Sequence, residues 1–190
     1  MSNLSRCTGL FIRCVALAAV AVCLGCTPAG AGENANASPD IWQDMKWPLA
    51  FDPWPPGRAF RCGKSDCGAD IELYVRPKLG FCNCATGITE DSEIDQVGDL
   101  AAIGSDFVSL GKGRTTQVGD MKGLARNYRI KLSSGDVHAL AIVTSKKCDV
   151  VVITIASTAT LPAQAEQTAL TLLNSTRVLP WLVASVGVPP

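Results

Sequence analysis

The 190-residue chain is poor in the residues most chemistry needs: one histidine, two tyrosines and three methionines, with 17 Lys and Arg against 17 Asp and Glu. With a single histidine, nucleophile–base chemistry would have to run through His138. A lone histidine opening an apolar run reads as a satisfied polar residue, so no catalytic residue is assigned, and the chain is read as a non-enzyme. Two carboxylates meeting in space are the remaining catalytic route. A balanced charge without a basic stripe argues against a nucleic-acid partner. The longest wholly apolar run in the first forty residues, Cys14 to Leu24, spans 11 residues. A spanning helix needs about 20, which excludes a permanent transmembrane anchor there. No internal repeat stands out, and nothing calls for a cofactor.

What is present begins at the N-terminus. Arg6 and Arg13 stand in a stretch without acids, a short apolar core follows, and small residues close it, which is the anatomy of a secretory signal over residues 1–25. The core ends in Val22-Cys23-Leu24-Gly25-Cys26. This end resembles the lipobox of bacterial lipoproteins, with Cys23 where a leucine is usual. The resemblance implies cleavage before Cys26 and acylation of its sulfur, tethering the protein to a lipid bilayer on the periplasmic side of the cell envelope. Two or more acyl chains make such an anchor stable. Cleavage after Ala29-Gly30-Ala31 is the competing reading and would give a soluble periplasmic protein. Residues 26–39 are small, polar and Pro/Gly-bearing and read as a flexible tether. Residues 40–190 then form one domain. Losing Arg6 and Arg13 with the signal leaves the mature chain 15 basic and 17 acidic residues, a net charge of −2.

Five cysteines remain downstream of Cys26: Cys62, Cys67, Cys82, Cys84 and Cys148. In an oxidising envelope disulfides are the default, and an odd count leaves at least one sulfur without a partner in the monomer. Ile71 to Arg76 alternates as a half-buried strand, Pro77 to Gly80 reads as a turn, and Phe81 to Cys84 as a return arm, with Cys82 and Cys84 on one face. Opposite Cys62 and Cys67, these sulfurs could form two cross-strand bridges, although the sequence does not choose among the pairings. The sharper alternative is a periplasmic metal- or thiol-handling site on Cys62, Cys67, Cys82 and Cys84. Against it, no Cys-x-x-Cys occurs among the five.

Residues 41–61 carry three of the four tryptophans and four prolines. That proline density forbids a regular helix or central strand. The segment reads as an arm packed on the domain, and Trp42, Trp47 and Trp54 are the candidate partner-binding residues if their rings are exposed. Thr89 to Ile103 reads as one helix, capped by Thr89 or Ser92, with acids loading its first turns and Ile94, Val97 and Ala101 on its apolar face. A short strand is expected at Asp106 to Leu110, and Gly111 to Thr116 reads as a solvated loop. Three strands follow at Leu124 to Leu132, Val137 to Thr144 and Val150 to Ala156, the last two apolar enough to be buried on both faces. Thr160 to Thr176 reads as the closing helix, and the apolar tail from Trp181 either tucks back or hangs free.

The order across residues 120–179 looks like the C-terminal half of PsbP-like domains. That resemblance implies an envelope or lumenal accessory role and carries over no catalytic residue. The sequence thus points to an α+β fold: an antiparallel sheet with a C-terminal helix packed on it, plus a disulfide-rich N-terminal hairpin. Its expected role is an accessory or binding module for another envelope protein.

Overall fold

The computed structural model describes residues 38–49, 54–80 and 83–187. The signal segment, Cys26, most of the tether and Cys82 lie outside them. The fold is α+β, built on an eight-stranded antiparallel sheet: β1 (Gln43–Met45), β2 (Arg58–Cys62), β3 (Ile71–Lys78), β4 (Asp106–Ser109), β5 (Arg114–Val118), β6 (Met121–Leu132), β7 (Gly135–Lys146) and β8 (Asp149–Ser157). The spatial order is β1-β2-β3-β8-β7-β6-β4, and β5 also pairs with β6. Among the described residues five α-helices accompany the sheet: α1 (Lys64–Cys67), α2 (Asp91–Val97), α3 (Leu100–Ile103), α4 (Ala165–Leu173) and α5 (Leu179–Ser185).

The three central strands behave as their composition demands. Every residue of β8 is buried, because both faces of the sheet are covered. On one face Leu73, Val75, Ile142, Ile153 and Ile155 pack against Ala169, Leu172 and Leu173 of α4 and Leu182 of α5. On the other, Val143, Val150, Val152 and Tyr128 pack against Ile94, Val97 and Leu100 of α2 and α3. In β6, Tyr128 and Ile130 point inward while Asn127, Arg129 and Lys131 are exposed, as the alternation predicts. Gly123 lets β6 approach β7 closely: a Cβ there would lie 1.9 Å from the Val143 carbonyl oxygen.

Several elements differ from expectation, each for a local reason. The neighbours of strand β3 are β2 and β8, and Phe81 and Cys82 of the expected return arm lie outside the described residues. Residues 84–86 form a turn instead. The stretch 89–103 is two helices, because Asp99 turns inward between Gly98 and Leu100. Its carboxylate takes Arg76 Nε at 2.9 Å and Lys78 Nζ at 2.9 Å, all three side chains being buried. Neither Thr89 nor Ser92 caps α2. The Glu93 carboxylate reaches back and accepts the backbone N–H of Thr89 and Glu90 at 2.7 and 2.8 Å. The Gly111–Thr116 stretch is only partly loop, since Arg114–Val118 pairs with β6. Helix α4 starts at Ala165, three residues beyond Pro162. The tail tucks back: Leu182 and Val186 join the core, and Pro180 sits in the first turn of α5.

The arm is clasped from the far end of the chain. Arg177 donates to the Trp42 carbonyl at 2.6 Å and to the Pro39 carbonyl at 3.2 Å. Its guanidinium also pairs with Asp44 and lies 5.2 Å from the Phe60 ring centroid. Arg58 stacks 5.0 Å from the same ring and reaches Asp44 at 3.1 Å. Burial pushes the Asp44 carboxyl up, but the two guanidiniums outweigh it and hold it below the usual range.

Candidate functional site

The three tryptophans singled out from sequence do not form one surface. Trp42 is 2% exposed inside the core, among β2, α4 and α5, and is therefore withdrawn as a docking residue. Trp47 packs on the opposite face of the sheet, edge-on to Tyr74 at 6.1 Å with the Arg76 guanidinium 5.4 Å from its ring. Trp54 is half-buried.

The cysteines make two disulfides, Cys62–Cys67 and Cys84–Cys148. Neither is a cross-strand bridge from Cys62 or Cys67 to Cys82 or Cys84, the arrangement the sequence suggested. Cys62 ends β2, α1 makes a single turn, and the chain comes back to its own strand end at Cys67. Cys84 reaches across to the β7–β8 turn. Three of the four sulfurs required by the metal alternative are thereby committed to sulfur–sulfur bonds, which corrects that reading. Among the described residues no group of three or more His, Cys, Asp or Glu is placed to hold a metal ion.

Two open grooves remain on the face that α2 and α3 only partly cover. The first, about 580 Å³, lies at the end of the sheet where α3 stops. Ile103, Leu132 and Val137 form one wall. The floor is low because Ala156 of β8 faces Ala139 of β7. The opposite wall is polar. Arg61 and Glu72 are direct cross-strand partners in β2 and β3, and their side chains meet at 2.7 Å. Tyr74, two residues on and therefore on the same face, donates its hydroxyl to the other Glu72 oxygen.

The electrostatics of this wall are fixed at neutral pH. Burial pushes Glu72 up, yet the Tyr74 and Arg61 hydrogen bonds outweigh it and leave the carboxyl below its usual range. Burial first, then the ionised Glu72, pushes Tyr74 far above the ordinary phenol range. Glu72 therefore stays an anion and Tyr74 a donor, and neither is poised to shuttle a proton near neutrality. The groove can recognise an amphipathic group, apolar toward Ile103, Leu132 and Val137 and hydrogen-bonding toward Arg61 and Asp70.

The second groove, about 610 Å³, lies at the other end of the same face, between Thr86, Ile88 and Thr89 on one side and Thr115 and Gln117 of β5 on the other. Ser145 Oγ lies at its edge and accepts the Ile88 N–H at 3.2 Å. His138 is half-buried opposite Arg129 and Ser157, and no serine or cysteine among the described residues is hydrogen-bonded to it. The alternation of β2 and β3 could have flagged Arg61, Glu72 and Tyr74, but their register is set by pairing between strands and not by local sequence.

No helix among the described residues is long and apolar enough to cross a membrane. No protein-family model matches the chain, and no curated protein does. Solved structures similar to it include a protein of Bacteroides thetaiotaomicron at 8% identity and TM-score 0.38, covering 69% of this chain; the chain spans 40% of that protein's length. The protein of unknown function PA94 of Pseudomonas aeruginosa is similar at 13% identity and TM-score 0.39, over 78% of this chain and 96% of that one. LpqN of Mycobacterium tuberculosis, involved in cell envelope biogenesis, is similar at 13% identity and TM-score 0.37, over 70% and 74%.

Proposed function

We propose that the chain is exported, acylated at Cys26, and serves as a non-catalytic binding module facing the periplasm. In this reading an amphipathic segment of another envelope protein docks in the groove between Ile103, Val137 and the Arg61–Glu72–Tyr74 wall. The observation that carries the reading is the pair of disulfides, since such bonds persist in oxidising compartments and are rare in the cytosol. The fixed protonation of Glu72 and Tyr74 supports binding over acid–base work. The strand–hairpin–helix order across 120–179 is in keeping with the PsbP-like resemblance and its accessory role.

The test has two arms. Intact-mass analysis of membrane-extracted protein, with and without reduction, is expected to give a chain beginning at an acylated Cys26 with two reducible bonds. A reduced full-length chain beginning at Met1 in the cytosol would overturn the reading. A photo-crosslinking residue at Thr158 on the groove rim is expected to capture an envelope protein, and Ala156→Trp, which fills the floor, is expected to abolish capture. Equal capture from Gln167, on α4 across the sheet, would remove the groove from the proposal.

A further inference from the structure

The two disulfides sit in opposite surroundings. Cys62 and Cys67 are 0% and 1% exposed within the core. Cys84 is exposed and Cys148 half-exposed, and the bond joins residues 64 apart, tying the 83–90 loop to the β7–β8 turn. That loop has few other links to the sheet. Its hydrogen bonds from Ala85 and Gly87 go to Asn83, within the loop itself. Among the described residues, the Ser145 hydrogen bond and the buried Ile88 side chain join it to the sheet alongside the disulfide, while the Glu93 carboxylate holds Thr89 and Glu90 onto the start of α2. The same residues, Thr86, Ile88 and Thr89, form one wall of the second groove.

Thiol–disulfide exchange needs an attacking thiolate to reach a sulfur, so access selects the bond. We propose that Cys84–Cys148 is an exchange site for a dithiol protein, and that its opening releases the 83–88 part of the second groove's wall. A partner thiolate attacks the Sγ of Cys84, the more exposed of the two residues, forming a mixed disulfide while the Cys84–Cys148 bond breaks. Cys148 leaves as a thiolate and takes up a proton. The partner's second thiolate then attacks its own sulfur in the mixed disulfide, freeing Cys84. The partner ends oxidised to a disulfide, and this chain gains two electrons and two protons. Cys62–Cys67, walled in by the core, stays oxidised throughout.

The test uses the purified, folded chain, with pre-existing thiols blocked by N-ethylmaleimide. After graded dithiothreitol under native conditions, newly freed thiols are trapped with iodoacetamide and mapped by peptide mass. Cys84 and Cys148 are expected to label at a reductant concentration about tenfold or more below that for Cys62 and Cys67. Labelling of all four together, or of Cys62 and Cys67 first, overturns the proposal. A thioredoxin-type Cys-x-x-Cys protein with its second cysteine changed to serine is expected to be trapped on Cys84; capture on Cys148 alone, or no capture, overturns the stated direction of attack. Amide exchange across 83–88 is expected to quicken about tenfold on reduction while β8 is unchanged. Unchanged exchange in the loop would eliminate the groove-releasing step.

Discussion

The only two tyrosines of the chain, Tyr74 and Tyr128, share one device: each buried hydroxyl donates to a carboxylate, Glu72 in one case and Asp95 in the other. Burial, then the carboxylate, pushes both phenols well above their ordinary value of 10.0. Because the folded state holds these protons more tightly than the unfolded chain, their stabilising contribution is complete below pH 10 and fades as pH rises toward the folded values. At about pH 11, where free tyrosine is mostly ionised, the folded protein is expected to show no phenolate absorbance near 295 nm. The signal should appear only together with unfolding; a titration centred on 10 in the native state would contradict the pairing. A second residue-scale prediction concerns Asp99. Removing one partner from a buried ionic cluster costs about 3 kcal/mol or more, so Asp99→Ala should lower the denaturant midpoint strongly, and Asp99→Asn nearly as much. This carboxylate escaped sequence reading because the apolar spacing of Ile94, Val97 and Ala101 continues past it. Its partners, Arg76 and Lys78, lie more than twenty residues away and reach it only through the sheet.

At the scale of elements, β6, β7 and β8 were legible because each carries its own burial pattern, alternating in β6 and nearly continuous in β8. Strand β5 was not. Its residues Arg114 and Thr115 are exposed, and only Val118 is buried, so its strand character comes from the hydrogen bonds β6 offers. The two grooves were illegible for the same reason: they depend on where α3 stops and on which strands neighbour β3. Helix α5 shows the reverse case, an apolar tail whose burial the sequence allowed but did not decide. Leu182 is fully buried in it, against the core shared with α4. Leu182→Ala should destabilise the protein by about 3 kcal/mol through lost burial and the cavity left behind. Chemical denaturation would measure it, and a loss under ~1 kcal/mol would mean that α5 does not seal the core.

For the molecule as a whole, cysteine content was readable but connectivity was not, since no local pattern distinguishes a five-residue closure from a 64-residue one. The two bonds nevertheless differ in consequence. Loop closure over 64 residues restricts the unfolded chain by about 4 kcal/mol, and closure over 5 by about 2 kcal/mol. Replacing Cys84 and Cys148 together with serine should thus lower the unfolding free energy by about 4 kcal/mol while far-UV circular dichroism stays native. Loss of the native spectrum at rest would mean that the bond is needed to form the fold and not only to stabilise it.

The clasp of Arg177 on the arm also sets a path for mechanical load. A pull on the chain ahead of Ser38 meets the guanidinium bonds at Pro39 and Trp42 first, then the three-residue β1 zipper, before any force reaches the central strands. Because the Trp42 ring is seated in the core, the same pull has to draw that ring out before it can part β1 from β2 at the edge of the sheet.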